Sequence, residues 1–176
     1  KQQLKMLEQK LDKLQKQTNA NTATAASANA NAKAADAKGI TVLYISNRAA
    51  HLQEATLANL KAAGLPVKND QVFLGLGTFV ADCEQNGSEK LCRRTHAGRK
   101  YRVLMQFGDQ IGDFVQVEAN TREGRQALFD EYDDWFGERW WMLPNPTYGG
   151  FEPAQFNNDY SQSRQAHHEA KRAALD

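Results

Sequence analysis

This chain has no long apolar run and no excess of either charge, and both absences narrow its class. Its longest apolar candidate, residues 41–45, has the length of a buried strand, well short of the ~20 residues that a transmembrane helix requires. Lys and Arg total 22 and Asp and Glu total 21, so the net charge is +1. A balance this close provides no bulk attraction to nucleic acid or to an anionic membrane. The sequence therefore predicts a globular protein without a transmembrane segment and without a nucleic-acid partner.

Cysteine is also scarce, with only Cys83 and Cys92 in 176 residues. In an oxidising compartment the two thiols could close a small loop, which the chain-entropy treatment of disulfides values at roughly 2.5–3 kcal/mol. Otherwise they would be two unrelated reduced thiols, with Cys92 packed inside a helix. The sequence leaves both interpretations open.

The first 38 residues differ in character from the rest. Leu4, Leu7, Leu11 and Leu14 alternate spacings of three and four, which is typical of a coiled-coil seam. The same register continues onto Ala and Asn positions, where Ala favours helix and Asn weakens it. We therefore predict a Leu- and Ala-rich helical segment over residues 1–38 that packs little against the remainder. It is either a self-association stalk that forms a homo-oligomer or a low-complexity linker.

From residue 39 to the C-terminus, strand-like and helix-like segments alternate. Predicted strands occupy residues 41–46, 71–76, 102–107 and 139–144, and predicted helices occupy residues 49–63 and 88–96 and a later polar segment that carries Phe129, Tyr132 and Phe136. Strands that alternate with helices indicate an α/β domain with a parallel sheet covered on both faces. Ligands bind beyond the carboxyl ends of the strands in such sheets. We therefore predict one α/β domain over residues 39–176.

Three polar features occur in one order along this domain. Ser46 ends a predicted buried strand, Lys90 lies in GSEKLCRR, and Asp109 and Asp113 lie in GDQIGDF after another strand. A strand-end hydroxyl with the N–H groups of the next turn can hold a phosphoryl oxygen, and two carboxylates on a strand-end loop suit Mg²⁺. Taken singly, such residues are more often a cap, a solvated charge and turn formers. Their combination in this order favours a phosphate and metal site.

In this order the three features resemble the second, third and fourth motifs of the haloacid dehalogenase (HAD) superfamily. The segments YISNR (44–48), GDQIGDF (108–114) and WWMLPNPTYGGFE (140–152) are together similar to the class C acid phosphatases, the bacterial outer-membrane lipoprotein and 5′-nucleotidase group. The Leu-Pro-Asn-Pro-x-Tyr-Gly-Gly block is the most discriminating part, because few other branches carry it. The resemblance covers about residues 39–160 and implies a HAD-like Rossmannoid parallel sheet.

The resemblance implies a role for each matching residue. The implied phosphate-binding residues are Ser46, Asn47, Arg48 and Lys90. Asp109 would ligate Mg²⁺, and Asp113 would support the metal or Lys90. Tyr148 would line the substrate pocket and stack on a nucleobase or aryl group, or else pack against its own Pro- and Gly-rich turn. The implied substrate is a phosphomonoester such as a nucleoside monophosphate or an aryl phosphate.

The residues that carry covalent chemistry in this superfamily have no counterpart in the expected place. An Asp-x-Asp-x-Thr motif on the first strand supplies the nucleophile and the general acid–base, but no Asp-x-Asp occurs before Gly39. The chain also starts at Lys1, without an initiator Met or a signal peptide. We therefore expect a sheet that lacks its first strand and a phosphatase that is inactive as written. The chain would be truncated or rearranged, or a partner would supply the strand.

Two functional hypotheses follow from these features. The first is a periplasmic or outer-membrane-associated acid phosphatase domain that uses Mg²⁺ and an aspartyl-phosphate intermediate. The second is a non-enzymatic envelope protein, in which a coiled-coil stalk displays a remnant phosphatase fold. The terminal helix with His167 and His168 favours neither hypothesis, because a His pair on a polar helix is most often solvated.

Overall fold

The computed structural model describes residues 26–85, 87–145 and 147–174. These residues form two compact units, which are considered separately. The first contains residues 26–44 and 51–73, and the second contains residues 45–50 and 74–174. Across the described residues, no helix has both the length and the apolar character needed to cross a membrane.

Two helices make up most of the first unit: α1, described over residues 26–37, and α2, Gln53–Ala62. Gly39 has a φ of +79°, a left-handed conformation that glycine adopts without strain and that ends α1. Asn29 Nδ2 donates a hydrogen bond to the carbonyl oxygen of Ala63 at 3.1 Å, which connects α1 with the end of α2. The sequence predicted few contacts for this segment, whereas the described part of α1 belongs to the same compact unit as α2.

The Leu seam predicted at the start of the chain lies outside this description. Leu4, Leu7, Leu11 and Leu14 are not among the described residues. Their coiled-coil pairing, and a homo-oligomer formed through residues 1–38, therefore stay predictions.

A small apolar cluster forms the core of the first unit. Its buried members are Leu57, Val72 and Phe73, and Leu43, Tyr44, Leu60 and Val67 pack against them. Thr56 is also buried. Its hydroxyl donates a hydrogen bond to the carbonyl oxygen of Leu52 at 2.8 Å, so this polar group is satisfied in the absence of water. The helix predicted over residues 49–63 begins later, at Gln53, because Leu52 is exposed and lies in a 3₁₀ turn before α2.

Within the described residues, four short strands form two two-stranded sheets. The first sheet contains β1 (Tyr44–Ala49) and β2 (Phe73–Leu76), and the second contains β3 (Gln106–Gly108) and β4 (Trp140–Met142). β3 runs parallel to β4, with Gln106 opposite Trp140 and Gly108 opposite Met142. Short parallel pairing between helices confirms the predicted α/β class.

The strand predicted at residues 102–107 begins later than its composition suggested. Only Gln106–Gly108 is in a strand, and Val103, Leu104 and Met105 precede it with about half of their surface exposed. Apolar and β-branched residues favour an extended backbone, but a strand also needs a neighbour with which to exchange hydrogen bonds. β4 supplies that neighbour only for the three residues of β3.

The described helices of the second unit are α3 (Leu91–Lys100), α4 (Arg122–Glu131), α5 (Phe151–Ala154) and α6 (Arg164–Ala173). Thr121 caps α4 by accepting a hydrogen bond from the Gly124 N–H at 3.0 Å. α4 ends at Glu131, so the helical row predicted through Phe129, Tyr132 and Phe136 is interrupted. The rings of Tyr132 and Phe136 instead pack on Trp140, at centroid distances of 5.1 and 5.6 Å.

Candidate functional site

Ser46, Asn47 and Arg48 lie inside β1, which continues to Ala49 rather than ending at Ser46 as predicted. Ser46 Oγ accepts a hydrogen bond from the Arg48 N–H at 3.1 Å. That bond uses a lone pair of the hydroxyl and leaves its O–H available to donate to a ligand. Asn47 Oδ1 accepts a hydrogen bond from Arg93 at 2.8 Å, so this amide oxygen is already committed within the protein.

Lys90 is the residue immediately before α3. Its Nζ lies 2.6 Å from Asp113 Oδ1. The two side chains are only 15% and 7% exposed, so water screens this ion pair less than it screens a pair on the surface. The structure therefore joins two of the residues that the sequence predicted for the site.

The loop after β3 is organised around the Asp113 carboxylate. Its second oxygen, Oδ2, accepts hydrogen bonds from the Asp109 N–H at 2.8 Å and the Gln110 N–H at 3.3 Å. A Cβ added to Gly108 would lie 2.4 Å from the Cβ of Asp113, far closer than two non-bonded carbon atoms can pack. Gly108 is therefore the residue that lets Asp113 fold back over the loop and reach Lys90.

Asp109, the predicted metal ligand, is oriented from another segment. Its Oδ2 accepts a hydrogen bond from Asn145 Nδ2 at 3.1 Å, and the same amide nitrogen donates to the carbonyl oxygen of Tyr148 at 2.7 Å. Burial, and next the carboxylate of Asp113, raise the pKa of Asp109 above its ordinary value, while Lys90 acts in the opposite direction. A cation placed beside Asp109 would favour the ionised carboxylate.

A shallow depression of about 370 Å³ opens beside Asp109. Its lining consists of Asp109, Gln110, Ile111, Arg122, Arg125, Gln126, Phe129, Met142, Phe151 and Gln155. Arg122 and Arg125 bring positive charge to this wall, and burial lowers the pKa of Arg125. Tyr148 is not part of the lining and is 75% exposed. The carbonyl oxygen of Tyr148 is linked to Asp109, because the Asn145 amide donates to both.

The sequence reasoning missed two arginines that organise the site. Arg93 donates to the carbonyl oxygen of Ser46, and Arg94 donates to the carbonyl oxygen of Gly112 at 2.8 Å. Burial lowers the pKa of both guanidinium groups. Through these two arginines, α3 contacts both β1 and the loop that contains Asp113. A signal was available in GSEKLCRR, because residues three and four positions after Lys90 lie on the same side of a helix as Lys90.

Cys83 and Cys92 form a disulfide, with Cα atoms 5.6 Å apart, which settles the two alternatives that the sequence left open. Cys92 is the second residue of α3 and is buried. The bridge closes the segment that contains Lys90 and anchors it to the start of the helix. It therefore restrains the backbone from which the Lys90 ammonium reaches Asp113.

The predicted site residues thus fall into three groups: those around the Asp113 carboxylate, those in β1, and the exposed Tyr148. Lys90, Asp109 and Asp113 form one hydrogen-bonded set, and Ser46 and Asn47 are tied to the same helix through Arg93. Arg48 contributes its backbone N–H to this arrangement, and the Tyr148 ring remains exposed. A hydroxyl donor, an ammonium group and two carboxylates, all within the second unit, are groups suited to binding a phosphate together with a divalent cation.

Two solved structures with a similar fold are of a class C acid phosphatase. The class C acid phosphatase from Bacillus anthracis superposes with a TM-score of 0.68 at 25% identity, over 82% of this chain and 58% of that one. The crystal structure of class C acid phosphatase from Bacillus anthracis with tungstate bound gives a TM-score of 0.71 at 26% identity, over 85% of this chain and 60% of that one. This chain therefore spans less than two thirds of the length of these structures.

A family model reaches the same result independently of the fold. The model described as HAD superfamily, subfamily IIIB (acid phosphatase), matches residues 3–151. The match includes every predicted site residue from Ser46 to Tyr148. It begins inside the segment that the residue pattern set apart as 1–38, and it ends before residue 160. Because the match covers well over half of the sequence, the chain belongs to the HAD superfamily, subfamily IIIB, the acid phosphatases.

Proposed function

We propose that this chain supplies the phosphate-binding and metal-binding part of an acid phosphatase that hydrolyses phosphomonoesters. The observation that carries the proposal is the bond between Lys90 Nζ and Asp113 Oδ1 in the loop that also holds Asp109. A positioned cation next to carboxylates able to hold a metal ion is what phosphoryl transfer requires. The expected substrates are nucleoside monophosphates or aryl phosphates.

In this proposal, Ser46 and Lys90 hold the phosphoryl oxygens. The Ser46 hydroxyl donates one hydrogen bond, while its own oxygen stays fixed by the Arg48 N–H. The Lys90 ammonium has three protons, and its bond to Asp113 uses one of them, so the others can reach a phosphate oxygen. Because Asp113 already fixes the ammonium group, little reorganisation is needed when the phosphate binds.

Mg²⁺ is the metal that we propose for this site, with Asp109 as its ligand. Mg²⁺ is usually bound by one or two carboxylates, with substrate phosphate and water completing the shell. The Asp109 carboxylate is an oxygen ligand of this kind, and the described residues contain no cluster of three or more His, Cys, Asp or Glu. Asn145 orients the Asp109 carboxylate from behind. When bound, Mg²⁺ would neutralise charge on the phosphoryl oxygens.

We further infer that the 176-residue polypeptide binds phosphate without turning a substrate over. The HAD nucleophile belongs to an Asp-x-Asp-x-Thr motif, and no Asp-x-Asp occurs in these 176 residues. Loss of a nucleophile from a concerted site costs on the order of 10⁶ in turnover. Incubation of the purified polypeptide with an aryl phosphate and Mg²⁺ is therefore expected to release no product above background. A turnover of ~10 s⁻¹ that disappeared in Asp109→Asn would refute this inference.

We also propose a periplasmic or outer-membrane-associated location. The disulfide between Cys83 and Cys92 supports this proposal, because disulfides persist in oxidising compartments such as the bacterial periplasm. Cell fractionation of the source bacterium with an antibody against the protein measures the location directly, and recovery in the cytoplasmic fraction alone would contradict it.

The binding proposal is tested with tetrahedral oxyanions. A relative has been solved with tungstate bound, and tungstate has the shape of phosphate, so both anions serve as probes for titration calorimetry with Mg²⁺ present. Lys90→Met keeps the length of the side chain and removes its charge. A hydrogen bond to a charged group contributes ~1.5–3 kcal/mol, so the Kd of Lys90→Met is expected to rise about 10- to 100-fold.

A matched control lies at the other end of the same helix. Lys100 is the last residue of α3 and is exposed, so Lys100→Met removes the same charge far along the helix from Lys90. Its Kd is expected to equal that of the unmodified chain. An equal loss in both variants, or none in Lys90→Met, would overturn the proposed function.

A further inference from the structure

Arg93 is the largest fully buried side chain among the described residues, with 0% of its surface exposed. One guanidinium nitrogen donates to the carbonyl oxygen of Ser46. The other donates to Asn47 Oδ1 at 2.8 Å and to the carbonyl oxygens of Ser88 and Glu89 at 3.3 and 2.9 Å. A single side chain therefore connects Ser46 and Asn47 of β1 with the segment that leads to Lys90.

All of these acceptors are neutral. Within the described residues, no carboxylate forms an ion pair with Arg93, and its Nε has no hydrogen-bond partner. Burial of a cation that lacks a counter-ion is unfavourable unless an opposite charge lies nearby. Arg93 is bonded directly to the residues that, under the proposed function, hold the phosphoryl group. An anion bound there would be the missing counter-charge.

We propose that Arg93 is a positioning residue that also sets the charge preference of the phosphate site. It holds Ser46 and Asn47 of β1 in place, and its fixed positive charge beside these residues favours doubly charged oxyanions over singly charged ones. This inference rests on the proposed function, because it assumes that the oxyanion binds at Ser46. It differs from a purely structural role, in which the guanidinium only joins segments and is indifferent to the charge of the ligand.

Tungstate and perrhenate separate these two roles. Both are tetrahedral oxyanions of nearly the same size, but tungstate is doubly charged and perrhenate singly charged. Coulomb's law with an effective dielectric constant of about 20 and a separation of roughly 10 Å predicts a factor on the order of 10 in Kd per ligand charge. Arg93→Gln should therefore weaken tungstate binding about 10-fold more than perrhenate binding, measured by calorimetry or by competition.

Arg93→Lys retains the charge but loses the planar fork that reaches several acceptors at once. This variant should raise the Kd for both anions by the same factor, so the ratio of the tungstate Kd to the perrhenate Kd stays that of the unmodified chain. Arg99→Gln is the matched control, because Arg99 lies on the same helix, is exposed and makes one bond to the carbonyl oxygen of Ala81. It should change neither affinity.

The charge role is overturned if Arg93→Gln raises the Kd for both anions by the same factor. The positioning role is overturned if Arg93→Lys binds both anions with the affinities of the unmodified chain. If Arg93→Gln does not fold, Arg93→Lys still decides the positioning role, and the charge role is overturned if that variant loses the tungstate preference. If the unmodified chain binds neither anion, the proposed function fails. Hydrogen exchange then judges the positioning role alone: Arg93→Lys must accelerate exchange of the Asn47 and Arg48 amides, and unchanged exchange refutes it.

Discussion

Replacing Gly108 with alanine tests the loop that carries both carboxylates. The added Cβ would lie 2.4 Å from the Cβ of Asp113 and 2.7 Å from its Oδ2. Carbon atoms pack at ~3.5–4.0 Å, so Asp113 must move by roughly 1 Å. A shift of that size lengthens its 2.6 Å bond to Lys90 beyond ordinary hydrogen-bond range. The substitution therefore disrupts packing and the ion pair at the same time.

The expected loss of stability can be built from these two effects. Overpacking a filled site costs about 1–3 kcal/mol, and a hydrogen bond between charged groups contributes about 1.5–3 kcal/mol. We therefore expect Gly108→Ala to lower the free energy of unfolding by about 3–5 kcal/mol. With a urea dependence of about 2 kcal/mol per molar for a chain of this size, the unfolding midpoint falls by roughly 1.5–2.5 M. Circular dichroism during urea titration measures this shift.

Gly98→Ala is the matched control, and it is expected to raise the free energy of unfolding rather than lower it. Gly98 lies inside α3, and a Cβ added there would meet no atom within 4 Å. Alanine in a helix interior is more favourable than glycine by about 0.5–1 kcal/mol, so the midpoint should rise slightly. A Gly108→Ala variant that is as stable as the unmodified chain, or more stable, would refute the proposed arrangement of Asp113 over the loop.

Two further substitutions probe the same region. Asn145→Ala removes the amide that orients Asp109, and it is expected to raise the Kd for Mg²⁺ about 10-fold or more, the usual effect of losing a residue that hydrogen-bonds a metal ligand. Asn69→Ala, in the other unit, should leave the Kd for Mg²⁺ unchanged. Calorimetry that finds the same Kd in both variants would contradict the proposed role of Asn145. Replacing Cys83 and Cys92 together with serine opens the loop of the disulfide, which should lower the free energy of unfolding by about 2.5–3 kcal/mol. Unfolding in urea with and without reductant measures this loss, and an unmodified chain indifferent to reductant would count against it.

Family membership and α/β class could be predicted from the sequence because both depend on short segments. GDQIGDF brings its own glycine and both carboxylates, and Asp113 reaches the N–H of Asp109 only four residues earlier. Gly39 ends α1 for a similarly local reason, since its backbone conformation needs no distant partner. Such features depend on a few neighbouring residues, so the local sequence pattern is enough to predict them.

Only the tertiary structure decided the features that join distant segments. The bond between Arg93 and Ser46 spans 47 positions and the bond between Lys90 and Asp113 spans 23, and no local pattern identifies which arginine of GSEKLCRR is buried. The pairing of Cys83 with Cys92 and the late start of β3 likewise depend on where neighbouring backbone lies. The residue types after predicted strands therefore predicted which groups could form a phosphate and metal site. Their mutual positions depend on α3, whose Arg93 donates to the carbonyl oxygen of Ser46 in β1 and whose Arg94 donates to the carbonyl oxygen of Gly112 in the loop after β3.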